Sequence, residues 1–478
     1  MDKLNVCLIN DSFPPMIDGV ANAVTNYAQI ITRSHGSAAV VTPYYPDADD
    51  GVYPFPVYRY PSLDLTKFVG YRAGLPFSPE LMQQLEEQHF DLLHSHCPVA
   101  STMLARALRE QLHVPLVFTY HTKFDIDIAN VVRSKLLQEE AARILAANIA
   151  ACDEVWTVSR GAGENLEKLG YHGPWRVMPN GVDFPRGRVN ASRVAEVCGA
   201  YDLPAELPVF LFVGRMMWYK GIRIILDALK ALREGGQDFR MVFVGGGGDR
   251  DEIVDYTASL GLSDRVFFVP PIHDRELIRA WYCRADLFLF PSTFDTNGLV
   301  VREAAACALA SVLVRGSCAA EDVTDGVNGF LIEENAASMA AMLRELCTGR
   351  ETMRRVGEYA QRELYISWEE AVANAYERYG AVVETYRSGG YPEHERFSDE
   401  VFRATAQAMD SYNRARERLL DRRRGLQSSR EELLRGLKDG GQELLQGLKS
   451  GGEELLSGAQ EKRRKVLETL EDYYDRFL

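Results

Sequence analysis

The feature that most restricts the fold is an alternation of short apolar β-rich runs with helical patterns, made twice along the chain. In the first series, residues 5–10, 38–42, 92–95, 116–120, 154–158 and 176–179 read as buried strands, with helical periodicity over 21–33, 79–88, 99–111 and 134–151. The second series puts strands at 209–214, 241–245, 266–269, 287–291 and 311–314, each followed by helix-like sequence. Continuous apolar strands separated by helices predict parallel sheets covered on both faces. Between the series, Pro185 to Leu207 has few long apolar runs and reads as a linker. The expected class is therefore α/β, with two doubly wound, Rossmann-like domains over 1–190 and 191–365. They face a cleft whose ligand sits at the strands' C-terminal ends. A helical pattern from Trp368 to about Arg387 follows, and Ser388-Gly-Gly-Tyr-Pro392 ends it.

A chain of 478 residues is too long for one core and suits two domains with an extension. The formal net charge of −14 argues against a nucleic-acid partner, which demands a basic face. That charge is uneven. From Asp410 onward there are 15 basic and 14 acidic residues, so the acidity belongs to the two domains. The eight cysteines form no CxxC pair, which predicts reduced core thiols and a cytoplasmic setting. Met1-Asp-Lys-Leu-Asn5 leads straight into a strand, so no secretory signal is expected. No apolar run approaches the roughly 20 residues that span a bilayer, so membrane contact would be peripheral.

Three turns carry chemistry. In Phe290-Pro-Ser-Thr-Phe-Asp-Thr-Asn-Gly-Leu299 a strand ends in a polar turn, and Asn297-Gly298 opens a small-residue helix. Unpaired N–H groups and the positive dipole end at a helix start suit a phosphate. Asp295 and Glu303, eight positions apart, suit hydroxyls on either side of it. Phe212-Val-Gly-Arg-Met-Met-Trp-Tyr-Lys-Gly221 brings Arg215 and Lys220 to a second strand end. Either these cations neutralise a departing diphosphate, or they pair with acidic side chains. The third turn, Asn10 to Asn22, sets Gly19 at a helix mouth, where backbone can approach a ligand closely. Val244-Gly-Gly-Gly-Gly-Asp249 is not the GxGxxG dinucleotide fingerprint, and its glycines read as packing devices.

Together these residues resemble glycosyltransferase family 4, retaining enzymes of the two-domain GT-B fold, over roughly residues 3 to 388. The resemblance rests on the Arg215/Lys220 turn, on Pro179-Asn-Gly-Val-Asp183, and on Pro291-Ser292 through Glu303. The family pattern of Glu, seven residues, Glu stands here as Asp295 and Glu303, so the first carboxylate is one methylene short. The resemblance implies that Glu303 binds a nucleoside ribose and that Asp295 contacts donor-sugar hydroxyls. Asn297, Gly298 and Leu299 would line the donor site with backbone N–H groups, and Gly19 would lie near the phosphates. His121, at the end of Phe118-Thr-Tyr-His121, matches the family's histidine near the reaction centre. Lys123 and Asp125 follow it and are assigned to the acceptor side by location. His94-Ser-His96 places two imidazoles on one strand face, but no third ligand is evident and no metal is expected. The implied chemistry needs no metal and no cofactor beyond the nucleotide-sugar co-substrate: Arg215, Lys220 and the helix start meet the charge. The expected donor is a hexose on UDP, with GDP as the alternative. The helix over 366–390 would cross back onto the first domain, as in the GT-B fold.

Residues 391–478 carry an 11-residue repeat, seen in Glu432-Leu-Leu-Arg-Gly-Leu-Lys-Asp-Gly-Gly-Gln442 and again from Glu443. Eleven residues drift only ~20° on a helix, so Leu433, Leu437, Leu444, Leu448 and Leu455 share one stripe. Each glycine in it costs roughly 1 kcal/mol in an isolated helix, so the stripe needs a surface. That surface is either anionic lipid, favoured by the basic run Arg414 to Arg424, or another helix, as in a homo-oligomer; the remaining alternative is a solvated tail. Asp11-Ser-Phe-Pro-Pro-Met-Ile-Asp-Gly-Val20 and Tyr120-His-Thr122 look closest to family members that glycosylate diacylglycerol lipids. The leading expectation is a peripheral enzyme at the inner face of the cell membrane with a lipid acceptor. A soluble acceptor and a non-catalytic nucleotide-sugar sensor are the alternatives.

Overall fold

A computed structural model describes residues 3–16, 18–64, 72–74, 79–124, 128 and 134–392, all within the compact unit Met1–Phe402. Asp125 and the repeats of the C-terminal tail lie outside the described residues.

The first series folds as a seven-stranded parallel sheet. Its strands are β1 (Asn5–Ile9), β2 (Ser37–Pro43), β3 (Val57–Tyr60), β6 (Leu92–Ser95), β7 (Leu116–Tyr120), β8 (Glu154–Thr157) and β9 (Arg176–Val177). Their spatial order is β3-β2-β1-β6-β7-β8-β9. A short antiparallel pair, β4 (Ser62–Asp64) and β5 (Arg72–Gly74), stands apart from it. The second sheet runs β12-β11-β10-β13-β14-β15, from β10 (Val209–Val213), β11 (Arg240–Val244), β12 (Val266–Val269), β13 (Leu287–Phe290), β14 (Ser311–Val314) and β15 (Phe330–Ile332). Two edge strands, β3 and β15, were not anticipated. Both are short: β3 is half-buried over most of its length, and β15, though apolar throughout, has only three residues. The expected linker holds a helix, Ala191–Cys198, which Asn190 caps through a 2.8 Å bond from the Arg193 N–H.

Strand order reverses between β1 and β6 and between β10 and β13, where Leu8 lies against His94 and Leu211 against Phe288. Such switch points leave a crevice at the strands' C-terminal ends. The site residues of the three turns and His121 all follow strands that meet or flank these two reversals. The helix Trp368–Arg387 starts with a Ser367/Glu370 capping box. It buries Trp368, Val372, Tyr379 and Val383 against Val6, Leu8 and Trp156 of the first sheet. Arg378 ties it to Glu154 at the start of β8 through bonds of 2.8 and 2.5 Å. Among the described residues all eight cysteines are free, five of them buried, and no helix is long and apolar enough to cross a membrane.

Candidate active site

In the second domain, β10 ends at Val213, and the chain turns through Gly214 and Arg215 into a 3-10 turn, Trp218–Lys220. Arg215 is exposed and has no ion pair among the described residues. Lys220 is 7% exposed. Its Nζ donates to Asp295 Oδ1 at 2.7 Å and lies 5.6–5.9 Å from the ring centres of Tyr219, Phe290 and Phe294. The two cations thus divide: pairing with an acidic side chain holds for Lys220, and Arg215 remains available. The four-glycine corner packs as expected, since a side chain on Gly245 would run into the Gly214 carbonyl.

Asp295 is held on both oxygens, by Lys220 and by the Ser292 hydroxyl at 2.6 Å. The next polar residue but one is in the opposite state. Asn297 is 9% exposed, yet neither its amide nitrogen nor its oxygen has a hydrogen-bond partner. A buried unsatisfied amide costs stability and marks a place where a ligand group is expected. Gly298 follows in the left-handed region, φ 59° and ψ 46°, and opens the helix Leu299–Ala306 with no side-chain cap. A Cβ there would come within 2.8 Å of Ala319, so glycine serves both the turn and the close approach. The uncapped first turn keeps N–H groups for an anion.

One turn further, Glu303 is buried. Arg275 donates to its Oε1 at 2.6 Å and the Tyr282 hydroxyl to its Oε2 at 2.9 Å. Burial raises its pKa above the usual carboxylate value, against the pull of Arg275. Each carboxylate oxygen still has a second acceptor direction, so Glu303 can take hydroxyls without giving up either partner. Arg275 also lies 3.7 Å from Asp183 and over the Phe184 ring, which joins this carboxylate to the end of the first domain.

In the first domain, β6 and β7 end in three histidines. His94 Nδ1 meets the Tyr379 hydroxyl at 2.5 Å and its Nε2 meets Thr119 Oγ1 at 2.7 Å. His96 Nδ1 meets His121 Nε2 at 2.9 Å, while His96 Nε2 is buried without a partner. A stranded lone pair costs less than a stranded N–H, which puts the proton of the shared bond on His96 Nδ1. His121 then accepts on Nε2 and carries its own proton on Nδ1. Burial lowers the His121 pKa to about 3 and holds His94 and His96 well below the ordinary imidazole value. All three are neutral at working pH.

The two halves meet. Thr296 Oγ1 donates to the His121 carbonyl at 2.9 Å, and Lys123 Nζ to the Thr293 carbonyl at 3.3 Å. Lys123 therefore reaches the donor loop rather than facing only an acceptor. Gly19 is exposed, with open space where a Cβ would be. Asp18 caps its helix, accepting from the Val20 and Ala21 N–H groups at 2.8 and 2.7 Å, so a phosphate there would meet a carboxylate.

The chain is similar to known proteins. The family described as "Glycosyl transferases group 1" matches residues 199–363 and "Glycosyltransferase Family 4" matches 17–186. A D-inositol 3-phosphate glycosyltransferase of Nocardia farcinica is 30% identical over 330 residues, covering 64% of this chain and 71% of that protein. The chain belongs to glycosyltransferase family 4. Another relative, the sulfoquinovosyl transferase SQD2 of Arabidopsis thaliana, is 25% identical over 357 residues, 73% of this chain and 67% of that one. Among solved structures, Anabaena HepE in complex with UDP and glucose matches with TM-score 0.61 at 19% identity, over 79% of this chain and all of that one. The lipopolysaccharide-biosynthesis glycosyltransferase WaaG matches with TM-score 0.56 at 17% identity, over 78% and 98%. The two parallel-sheet domains form a GT-B fold.

Several residues that shape this family 4 glycosyltransferase were not singled out from sequence. Arg275 and Tyr282 hold Glu303 from 28 and 21 positions away, and nothing local signals that pairing. Ser292 was legible in principle, because a hydroxyl three residues before a carboxylate in a tight turn is a common partner. Thr296, the bridge to His121, left no signal.

Proposed function

We propose that this glycosyltransferase is a retaining enzyme that moves a hexose from a nucleoside diphosphate sugar, UDP-glucose-like, to a membrane glycerolipid such as diacylglycerol or its glycoside. The observation that carries the donor side is the buried, unpartnered Asn297 amide at the uncapped start of Leu299–Ala306, flanked by Asp295 and Glu303. A diphosphate on the helix start brings its negative charge to the dipole and to Arg215. Ribose hydroxyls take the open acceptor directions of Glu303. Sugar hydroxyls take those left on Asp295, whose shorter side chain stays tied to Lys220 and Ser292. The neutral His121 lies beside the donor loop and offers an N–H donor to the sugar or acceptor. The acceptor attacks from the face that the nucleoside diphosphate leaves. The leaving phosphate takes the acceptor proton, so the protein supplies position and electrostatics and no nucleophile.

The lipid acceptor rests on the amphipathic repeats of the tail and on the opening turn. A second reading, a soluble polyol or sugar phosphate acceptor with the tail used for oligomerisation, is favoured by the D-inositol 3-phosphate in the relatives' names. Thermal stabilisation across UDP and GDP sugars identifies the donor, and offering that donor with lipid and soluble acceptors separates the readings. Flotation with liposomes that is unchanged on deleting 391–478 removes the tail's part in the lipid reading.

A further inference from the structure

We infer that Glu321 is a positioning residue that clamps the first domain to the donor loop and so holds His121 beside it; this rests on the transferase reading of the cleft. The helix Arg160–Lys168 begins in the first domain with Ser159 as its cap. The N–H groups of its first three residues need partners other than the helix's own carbonyls. Ser159 Oγ supplies one, accepting from Ala162 at 3.0 Å, while the Ser159 carbonyl takes the first intrahelical bond, from Gly163 at 3.2 Å. The second domain supplies the others. Glu321 Oε2 accepts from the Arg160 N–H at 2.6 Å, and Oε1 from the Gly161 N–H. A carboxylate taking two N–H groups at a helix start is a charge-assisted contact that the dipole favours.

The fit is close. A Cβ on Gly161 would lie 2.5 Å from Cys318 Sγ and 2.7 Å from Glu321 Oε1, so the helix start reaches the carboxylate only because residue 161 has no side chain. The contact is also linked to the site. The Ser159 hydroxyl that caps the helix donates to the Thr296 carbonyl, and Thr296 Oγ1 donates to the His121 carbonyl. Lys123 adds its bond to Thr293. Thr293 to Asn297 is the donor loop, so releasing Glu321 frees the helix start, then Ser159, then the Thr296–His121 bond.

Hydrogen exchange on the full-length chain tests the clamp without any substrate. In Glu321→Ala the Arg160 and Gly161 amides should exchange about tenfold faster or more, as loss of a hydrogen bond to a charged group gives, while peptides from both sheets keep wild-type protection. Gly161→Ala is the second variant. Alanine favours a helix over glycine, so faster exchange there reports a displaced carboxylate rather than a weakened helix. With a donor that the wild type turns over, both variants should lose kcat by about tenfold, and donor affinity should change less than about threefold. Equal exchange in wild type and both variants overturns the clamp. Faster exchange with unchanged kcat overturns its positioning role. If the wild type turns over no nucleotide sugar, the proposed function fails, and the exchange comparison alone decides the clamp.

Discussion

Replacing Asp295 with alanine should destabilise the second domain as well as stop transfer. The carboxylate is the partner of Lys220 Nζ at 2.7 Å, and the ammonium it leaves behind is 7% exposed and ringed by Tyr219, Phe290 and Phe294. Breaking a fully buried pair costs ~3–5 kcal/mol because one charge is stranded. The Asp295 side chain is 24% exposed, and solvent screening reduces the cost to roughly 2–3 kcal/mol. A domain of this size loses ~2–4 °C in Tm per kcal/mol, so calorimetry should place its transition roughly 4–12 °C lower. The double variant Asp295→Ala/Lys220→Met should recover much of that loss, since it leaves no orphan charge. Transfer stays absent in both. A single variant melting with the wild type, or a double variant no more stable than the single, refutes the assignment of this pair as a structural element of the donor loop. Unchanged turnover in Asp295→Ala refutes its catalytic part.

Arg215→Ala makes the converse prediction: the side chain is exposed and unpaired among the described residues, so turnover should fall ~10²-fold with no change in Tm. The acid side is set by the histidines. The unfolded chain protonates His121 near 6.5 and the folded chain only near 3, so above 6.5 the group has no effect. As pH falls to 5 it removes ~2 kcal/mol of stability, and His94 and His96 act in the same direction. C2-hydrogen exchange of the imidazoles, read by mass spectrometry, should show no His121 titration between pH 5 and 8, and a midpoint near 6.5 would refute its burial. Transfer should survive EDTA, because Arg215 and the helix start supply the positive charge; loss on chelation that Mg²⁺ restores would count against that.

Periodicity and punctuation carried a large part of this protein. Strand runs such as Val209-Phe-Leu-Phe-Val213 and Leu287-Phe-Leu-Phe290 are buried along their whole length, as central strands are. Their C-terminal ends put Arg215, Lys220, Asp295 and Asn297 on one rim before any coordinates are considered. The edge strand β3 escaped because it is half-buried and its pattern mixed, and β15 because three residues are too few to stand out. The linker helix escaped because eight residues are too few to show a helical period.

What local pattern leaves open is which groups remain free to act. Lys220 and Arg215 look alike in one turn, but only the fold puts a carboxylate 75 positions away onto Lys220 and leaves Arg215 to solvent. His96 and His121 look like separate strand-end residues until adjacent parallel strands bring their rings within hydrogen-bond distance and bury both. Glu321 meets Arg160 across 161 positions. Neighbouring residues write periodicity, whereas charge state, tautomer and an unsatisfied amide depend on which distant groups burial forces together.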